Sequence, residues 1–290
     1  RALRGVALLP ERPQRAEPRQ DLAARGGLDV AGLVDVTAVG LRGAGWTLGH
    51  SPLASTQPAP PAADIGRMLT WLFRPQCIAC AAPGASLCEP CAAALVELGP
   101  ACPRCAEPTG ERALVCARCI RDPLPLDRIV APWRFEGPLA SAIRRLKFTG
   151  ASHVARAIAP LWAPLLAAAA ADALVVPVPL HWRRRFARGY DHAWLLADHA
   201  CAHAKIAAPV PLLHRIRAAP AQSTLSAGAR TENLRGAFAV PRRQRRRVAG
   251  REIVLVDDVV TTGATLAAAA RALRSAGATD VIGVAIARTS

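Results

Sequence analysis

Two adjacent carboxylates, Asp257 and Asp258, close the apolar run Ile253, Val254, Leu255, Val256. The small turn Thr261, Thr262, Gly263, Ala264, Thr265 follows, and then an alanine-rich helical pattern. Unpaired backbone N–H groups at a helix start, together with the helix dipole, attract an anion. Gly263 permits close backbone approach, and the threonine hydroxyls add donors. Two carboxylates repel a phosphate but can hold neutral hydroxyls nearby, or a Mg²⁺. Carboxylates for ribose hydroxyls and amides for a 5′-phosphate describe a phosphorylated ribose. The plain alternative is a capped strand–helix turn with two exposed acids.

Eight of the nine cysteines fall into four Cys-x-x-Cys pairs: Cys77 with Cys80, Cys88 with Cys91, Cys102 with Cys105, and Cys116 with Cys119. A Cys-x-x-Cys turn points two thiolates at one place, and tetrahedral Zn²⁺ takes two such turns. The pattern therefore predicts two structural Cys₄ zinc sites. Disulfides are the alternative, but nothing in the chain suggests export. Sequential pairing closes the shorter loops; a cross-braced arrangement is the other choice. So small a segment buries little core, and its metal supplies folding energy. Each Zn–Cys₄ group carries two net negative charges, which lowers the formal +16 to about +12. Cys201 stands alone on a helical pattern and reads as a small buried hydrophobe.

Two basic segments could reach an anion. Arg185, Arg188 and Gly189 lie in WRRRFARGY, read as a loop after a strand, which suits a pyrophosphate. The polar stretch QSTLSAGAR reads as a mobile loop, with Gln222 and Arg230 available to a ligand. The run RRQRRR, residues 242–247, reads first as a solvated hairpin tip and second as a grip for a phosphate backbone.

These residues need a frame to hold them. Strand patterns at 128–135, 173–179, 252–258 and 280–287 alternate with helical patterns at 137–148, 191–204 and about 262–276. That alternation predicts an α/β fold with a doubly wound parallel sheet, whose ligands bind beyond the carboxyl ends of the strands. Residues 177–180 form a turn at the same edge as Asp257. The domain reading is 1–67 as a disordered or upstream extension, 68–122 as the cysteine-rich ribbon, and 123–290 as the α/β domain. Met68, the one methionine in the chain, is read as the natural start. The hydrophobic share of 52% excludes a disordered chain overall. The charge, 37 basic against 21 acidic residues, favours anionic partners. The apolar stretch from Ile158 to Val176 holds Asp172 and two prolines, so it reads as a helix running into a strand and not as a membrane span. The expected location is cytoplasmic.

The run from Ile253 to Thr265 resembles the phosphoribosyl pyrophosphate (PRPP) signature of type I phosphoribosyltransferases. With the preceding cysteine-rich ribbon, RRLKFTG, VPVPLHWRRRFARGYDHAWLLA and QSTLSAGARTENLRGAF, the chain resembles the ComF family over residues 68 to 290. That family joins a double zinc ribbon to a type I phosphoribosyltransferase-like domain and is linked to competence and DNA uptake. Two positions depart from its pattern: Asp191 and His192 stand where Asn-Gln is usual, and Ala219 stands in place of a threonine. The resemblance implies PRPP with Mg²⁺ as ligand. Asp257 and Asp258 would hold ribose hydroxyls, residues 261–265 the 5′-phosphate, and Arg185, Arg188 or Gly189 the pyrophosphate. Two functions follow from it. One is phosphoribosyl transfer to an acceptor the sequence does not name. The other is a non-catalytic PRPP sensor or accessory protein that binds single-stranded DNA or a DNA-uptake helicase.

Overall fold

The computed structural model describes residues 75–112, 114–217, 234 and 236–289. The expectations for residues 1–67, for Met68, for Ala219 and for the loop bearing Gln222 and Arg230 lie outside the described residues.

The cysteine-rich segment repeats one small design twice. A Cys-x-x-Cys turn closes when Ala81 N–H donates to Cys77 O at 2.9 Å, and again when Ala106 N–H donates to Cys102 O at 2.8 Å. Both alanines take positive φ, 64° and 60°, which an alanine adopts only when surrounding bonds demand it. Each unit ends in a short helix that starts directly after a cysteine: α1 (Glu89–Ala93) after Cys88 and α2 (Ala117–Arg121) after Cys116. Five-residue helices do not persist alone in water, and α1 has no buried residue, so the cysteine frame must hold them.

The α/β part begins with β1 (Arg128–Val130) and β2 (Trp133–Arg134), followed by α3 (Gly137–Phe148), α4 (His153–Ile158), a 3₁₀ turn (Ala159–Leu161) and α5 (Ala163–Ala169). Next come β3 (Leu174–Pro177), α6 (Trp182–Arg188), α7 (His192–Ala204), β4 (His214–Arg215) and β5 (Phe238–Ala239). A 3₁₀ turn (Arg242–Gln244), α8 (Arg245–Val248), β6 (Glu252–Val260), α9 (Ala264–Ser275) and β7 (Asp280–Arg288) complete it. The five-stranded sheet has the order β1-β7-β6-β3, with β2 also on β7, and every pairing is parallel. This is the expected α/β fold. The continuous apolar run of β6 serves both faces. Val254 and Val256 pack with α3, α4, α5 and α7, while Ile253 and Leu255 pack with α9, Phe238 and Val248.

Four local readings change. The 128–135 strand is split at Ala131 and Pro132, and proline tolerates such an edge position because it has no N–H to pair. The stretch after Ile158 forms two short pieces and not one helix, since Pro160 and Pro164 each sit at the start of a new piece. The 242–247 run is helical and not a hairpin tip. Finally, β6 does not stop at Asp258: Val259 and Val260 stay paired with Ala287 and Arg288 of the equally long β7.

The ribbon also closes one edge of the sheet. Leu98 N–H donates to Pro132 O at 2.9 Å and Arg134 N–H to Val96 O at 2.8 Å, with Glu97 bridging antiparallel to Trp133. Among the described residues, no helix is long and apolar enough to cross a membrane.

Candidate functional site

A cleft of about 770 Å³ opens where β3 and β6 end, the edge at which parallel sheets receive ligands. Asp257, Asp258, Thr261, Gly263, Ala264 and Thr265 all line it, so the carboxylate pair and the turn share one cavity. Thr262 instead faces a neighbouring cavity, with its Oγ1 accepting from Ala264 N–H at 3.4 Å. Gly263 is the N-cap of α9 with φ 76°. It offers no side chain to α9, so the first-turn amides after Ala264 are left for another acceptor. A Cβ there would meet Ile129 Cδ1 at 3.0 Å and Leu124 Cδ1 at 3.2 Å, a second reason for glycine.

The two carboxylates are not equivalent. Asp258 is buried, and one of its oxygens meets Lys147 Nζ at 2.9 Å and His192 Nε2 at 2.8 Å. Burial opposes its charge, but His192 and Lys147 outweigh burial and hold its carboxyl below the usual carboxylate range. Asp257 is half-buried. Burial first, and then the Asp258 charge, push its pKa up to about 7. Burial also opposes charge on His192, and Asp258 outweighs it and raises the imidazole pKa. Arg188 Nη1 lies 3.2 Å from His192 Nδ1. In the neutral ring, Arg188 can donate only to an unprotonated Nδ1, which leaves the proton on Nε2, toward Asp258.

The basic wall is assembled from distant segments. WRRRFAR forms helix α6 and not a loop; Gly189, at φ 80°, ends it by donating to Arg185 O at 2.8 Å. Helical spacing then sends Arg184 and Arg188 to the cleft, while Arg185 is exposed and neither it nor Gly189 lines the cavity. Asp191 caps α7, accepting from Trp194 N–H at 3.4 Å, and also accepts from Leu180 N–H at 2.9 Å. One carboxylate thus fixes both the helix and the loop after β3. Lys147, His192, Arg184 and Arg215 line the cleft although the sequence reading gave them no role there. Lys147 lies within RRLKFTG and His192 at a departure from the family pattern, so both carried a signal; Arg215 carried none.

The cysteines group sequentially. Cys77, Cys80, Cys88 and Cys91 bring their sulfurs within 4.8 Å of one another, as do Cys102, Cys105, Cys116 and Cys119. The Cys80–Cys88 and Cys105–Cys116 Sγ separations are both 3.6 Å. Tetrahedral Zn–S bonds near 2.3 Å place sulfurs roughly 3.8 Å apart, so the donor sets fit zinc in chemistry and size. Cys201 is buried and apart from both groups. His192, Asp257 and Asp258 also bring ligand atoms within 4.8 Å. They fit Mg²⁺ poorly, because Lys147 and His192 already occupy an Asp258 oxygen and Mg²⁺ takes an oxygen shell.

Residues 68–120 match the double zinc ribbon domain, and residues 195–289 match the phosphoribosyl transferase domain. The chain is 36% identical over 201 residues to DNA utilization protein YhgH of Salmonella typhi, covering 67% of this chain and 87% of that protein. The chain belongs to the ComF family. Similarity extends to Competence protein F of Haemophilus influenzae, 29% identical over 67% of this chain and 87% of that protein. Competence protein ComFC of Bacillus subtilis is 28% identical over 67% of this chain and 80% of that protein. In this ComF-family chain, the second matched region contains the carboxylate pair and the turn but begins after Lys147 and α6. The cleft therefore draws part of its wall from outside that region.

Proposed function

We propose that this chain binds PRPP in the cleft. The observation that carries this reading is the union, in one cavity, of the half-buried Asp257 with an uncapped helix start at the end of a central parallel strand. Asp257 and Asp258 would accept from the ribose hydroxyls, with Asp258 oriented by Lys147 and His192. The remaining amides of the 261–265 turn, with the Thr261 and Thr265 hydroxyls, would receive the 5′-phosphate. Arg188 and Arg184 would face the pyrophosphate, and the Mg²⁺ would arrive as part of the PRPP complex. Transfer would break the C1′–oxygen bond, moving its electron pair to pyrophosphate and building positive charge on the ribose. The chain's part in that step is positioning and electrostatics. Titration calorimetry with PRPP and Mg²⁺ tests the reading. Wild type should bind, and Asp257→Asn/Asp258→Asn should lose at least tenfold in affinity. No heat with wild type would remove PRPP as the ligand. Pyrophosphate release across candidate acceptors separates a transferase from a sensor.

A second reading has its own observation. Trp182 and Phe186, 65% and 88% exposed, stand one helical turn apart on α6 among four arginines. Phe148, 75% exposed, lies under Arg188 at 5.5 Å. Exposed rings interleaved with guanidinium groups suit single-stranded nucleic acid, where bases stack and phosphates pair. The relatives' names, DNA utilization protein and competence proteins, agree with a role of this chain in handling DNA. Trp182→Ala/Phe186→Ala should weaken a fluorescent oligonucleotide complex by roughly tenfold or more. Neutralising Arg242 and Arg243 with Arg245, Arg246 and Arg247 tests the other basic run, by a smaller dependence of affinity on salt. Unchanged binding in both variants would dismiss this reading.

A further inference from the structure

The second cysteine knuckle touches the 261–265 turn directly through Arg118, and two further residues, Arg288 and Leu124, link it to the turn's flank and backing. Arg118 sits on α2 between the ligands Cys116 and Cys119, so its backbone is fixed by that knuckle. Its Nη1 donates to Thr262 O at 2.6 Å, inside the turn. Arg288, fully buried at the end of β7, donates from Nη1 to Cys105 O at 2.7 Å and pairs through Nη2 with Glu107. Arg288 is also the strand partner of Val260, the residue directly before the turn. Leu124 packs against Cys102, Cys105 and Cys119, and its Cδ1 is one of the two groups that close on Gly263.

We propose that the second cysteine knuckle, through Arg118, sets the shape of the 261–265 turn, so that metal loss from that knuckle weakens anion binding in the cleft. The proposal rests on the reading of that turn as a phosphate site. The knuckle's cysteines form a small cluster of their own with Leu124, and among the described residues its apolar ties to the main core are Ala101, Ala106 and Leu124, so metal supplies much of its cohesion. A metal-bound Cys₄ group is a local dianion, and the Arg118 guanidinium lies between it and the turn. With the metal gone, Arg118 loses its fixed base, Thr262 O loses its donor, and Gly263 loses one of its two backing side chains. The first knuckle lacks this path. Arg145 of α3 donates to Cys77 O at 3.0 Å and Ile78 O at 3.1 Å, which ties that knuckle to α3 and not to the turn. Arg118 is therefore a positioning residue. It acts on the ligand through Thr262.

The test uses the whole zinc-loaded chain and two readouts. Amide hydrogen exchange of a peptide covering residues 259–266, without ligand, reads the turn directly. Arg118→Gln should speed that exchange on the order of tenfold, and Arg118→Lys, which keeps a donor, should recover most of the protection. Calorimetry with PRPP and Mg²⁺ should show about tenfold weaker binding in Arg118→Gln, within the usual range of coupling between two sites. Zinc content establishes that both knuckles remain filled. Should a variant lose metal, stepwise chelation of the wild type gives the same comparison. Exchange of residues 101–121 then reports when the second knuckle empties, and turn exchange must rise with it. Unchanged turn exchange in Arg118→Gln, or after that knuckle empties, overturns the proposal. Wild type that takes up no PRPP overturns the ligand reading and leaves the exchange result to decide the coupling.

Discussion

Asp257 and Asp258 are neighbours in sequence that titrate in opposite directions. Asp257 has a folded pKa of about 7, above its unfolded value, so it holds its proton more tightly when folded. Its effect on stability therefore becomes less favourable as pH rises from about 4 toward 7. Asp257→Asn should raise the thermal midpoint at pH 8 by several degrees, for about 1–2 kcal/mol, and leave it nearly unchanged at pH 5. The same change should cost PRPP affinity, so stability and binding move apart. Scanning fluorimetry at the two pH values is the check, and an unchanged midpoint at pH 8 would contradict the burial of charge. Asp258 behaves in the reverse sense: its stabilisation is present above its unfolded pKa and is lost as pH falls through the depressed folded value. His192 contributes below its unfolded pKa and loses that contribution as pH rises through its raised value. Removing Lys147 as Ala leaves Asp258 with His192 as its remaining side-chain partner. Urea unfolding at pH 8 should then show a loss of about 2–4 kcal/mol, partly returned when Asp258→Asn is added.

Glycines at two helix ends separate backbone freedom from close contact. Gly189 ends α6 at φ 80° with open space around its Cβ position. Gly263 opens α9 at φ 76° with Ile129 and Leu124 pressed against it. Gly189→Ala should cost about 1 kcal/mol from the left-handed backbone alone. Gly263→Ala should cost about 1 kcal/mol more, because two side chains must move, and it alone should weaken PRPP binding. Chemical unfolding of the pair measures the difference. These elements also explain what could be read beforehand. The carboxylates, the turn and the four Cys-x-x-Cys pairs were legible because each is a contiguous run whose spacing carries its chemistry. Helix α6 was not. Seven residues rich in arginine, with no buried side chain, lack the apolar stripe that marks a helix in sequence. The Lys147 and His192 contacts to Asp258 escaped because the two residues come from two helices that only the fold brings together.

At the scale of the molecule, two arginines wire the two knuckles to different walls of one cleft: Arg145 to α3 and Arg118 to the turn before α9. Atomic absorption should find about two zinc ions per chain, and a strong chelator under reducing conditions should lower the thermal midpoint of the α/β part as well as unfold the knuckles. A midpoint that did not move would mean the ribbon is only tethered. The bonds from residues 96–98 to Pro132 and β2 carry a different consequence. They cover the row of N–H and C=O groups at one margin of the sheet. A fragment cut before residue 123 would present that margin bare, and bare margins recruit strands from other chains. Size-exclusion chromatography across a concentration series should show residues 75–290 as one species and residues 123–290 as a growing ladder of oligomers. In that role the ribbon would be a guard against self-association of the α/β part.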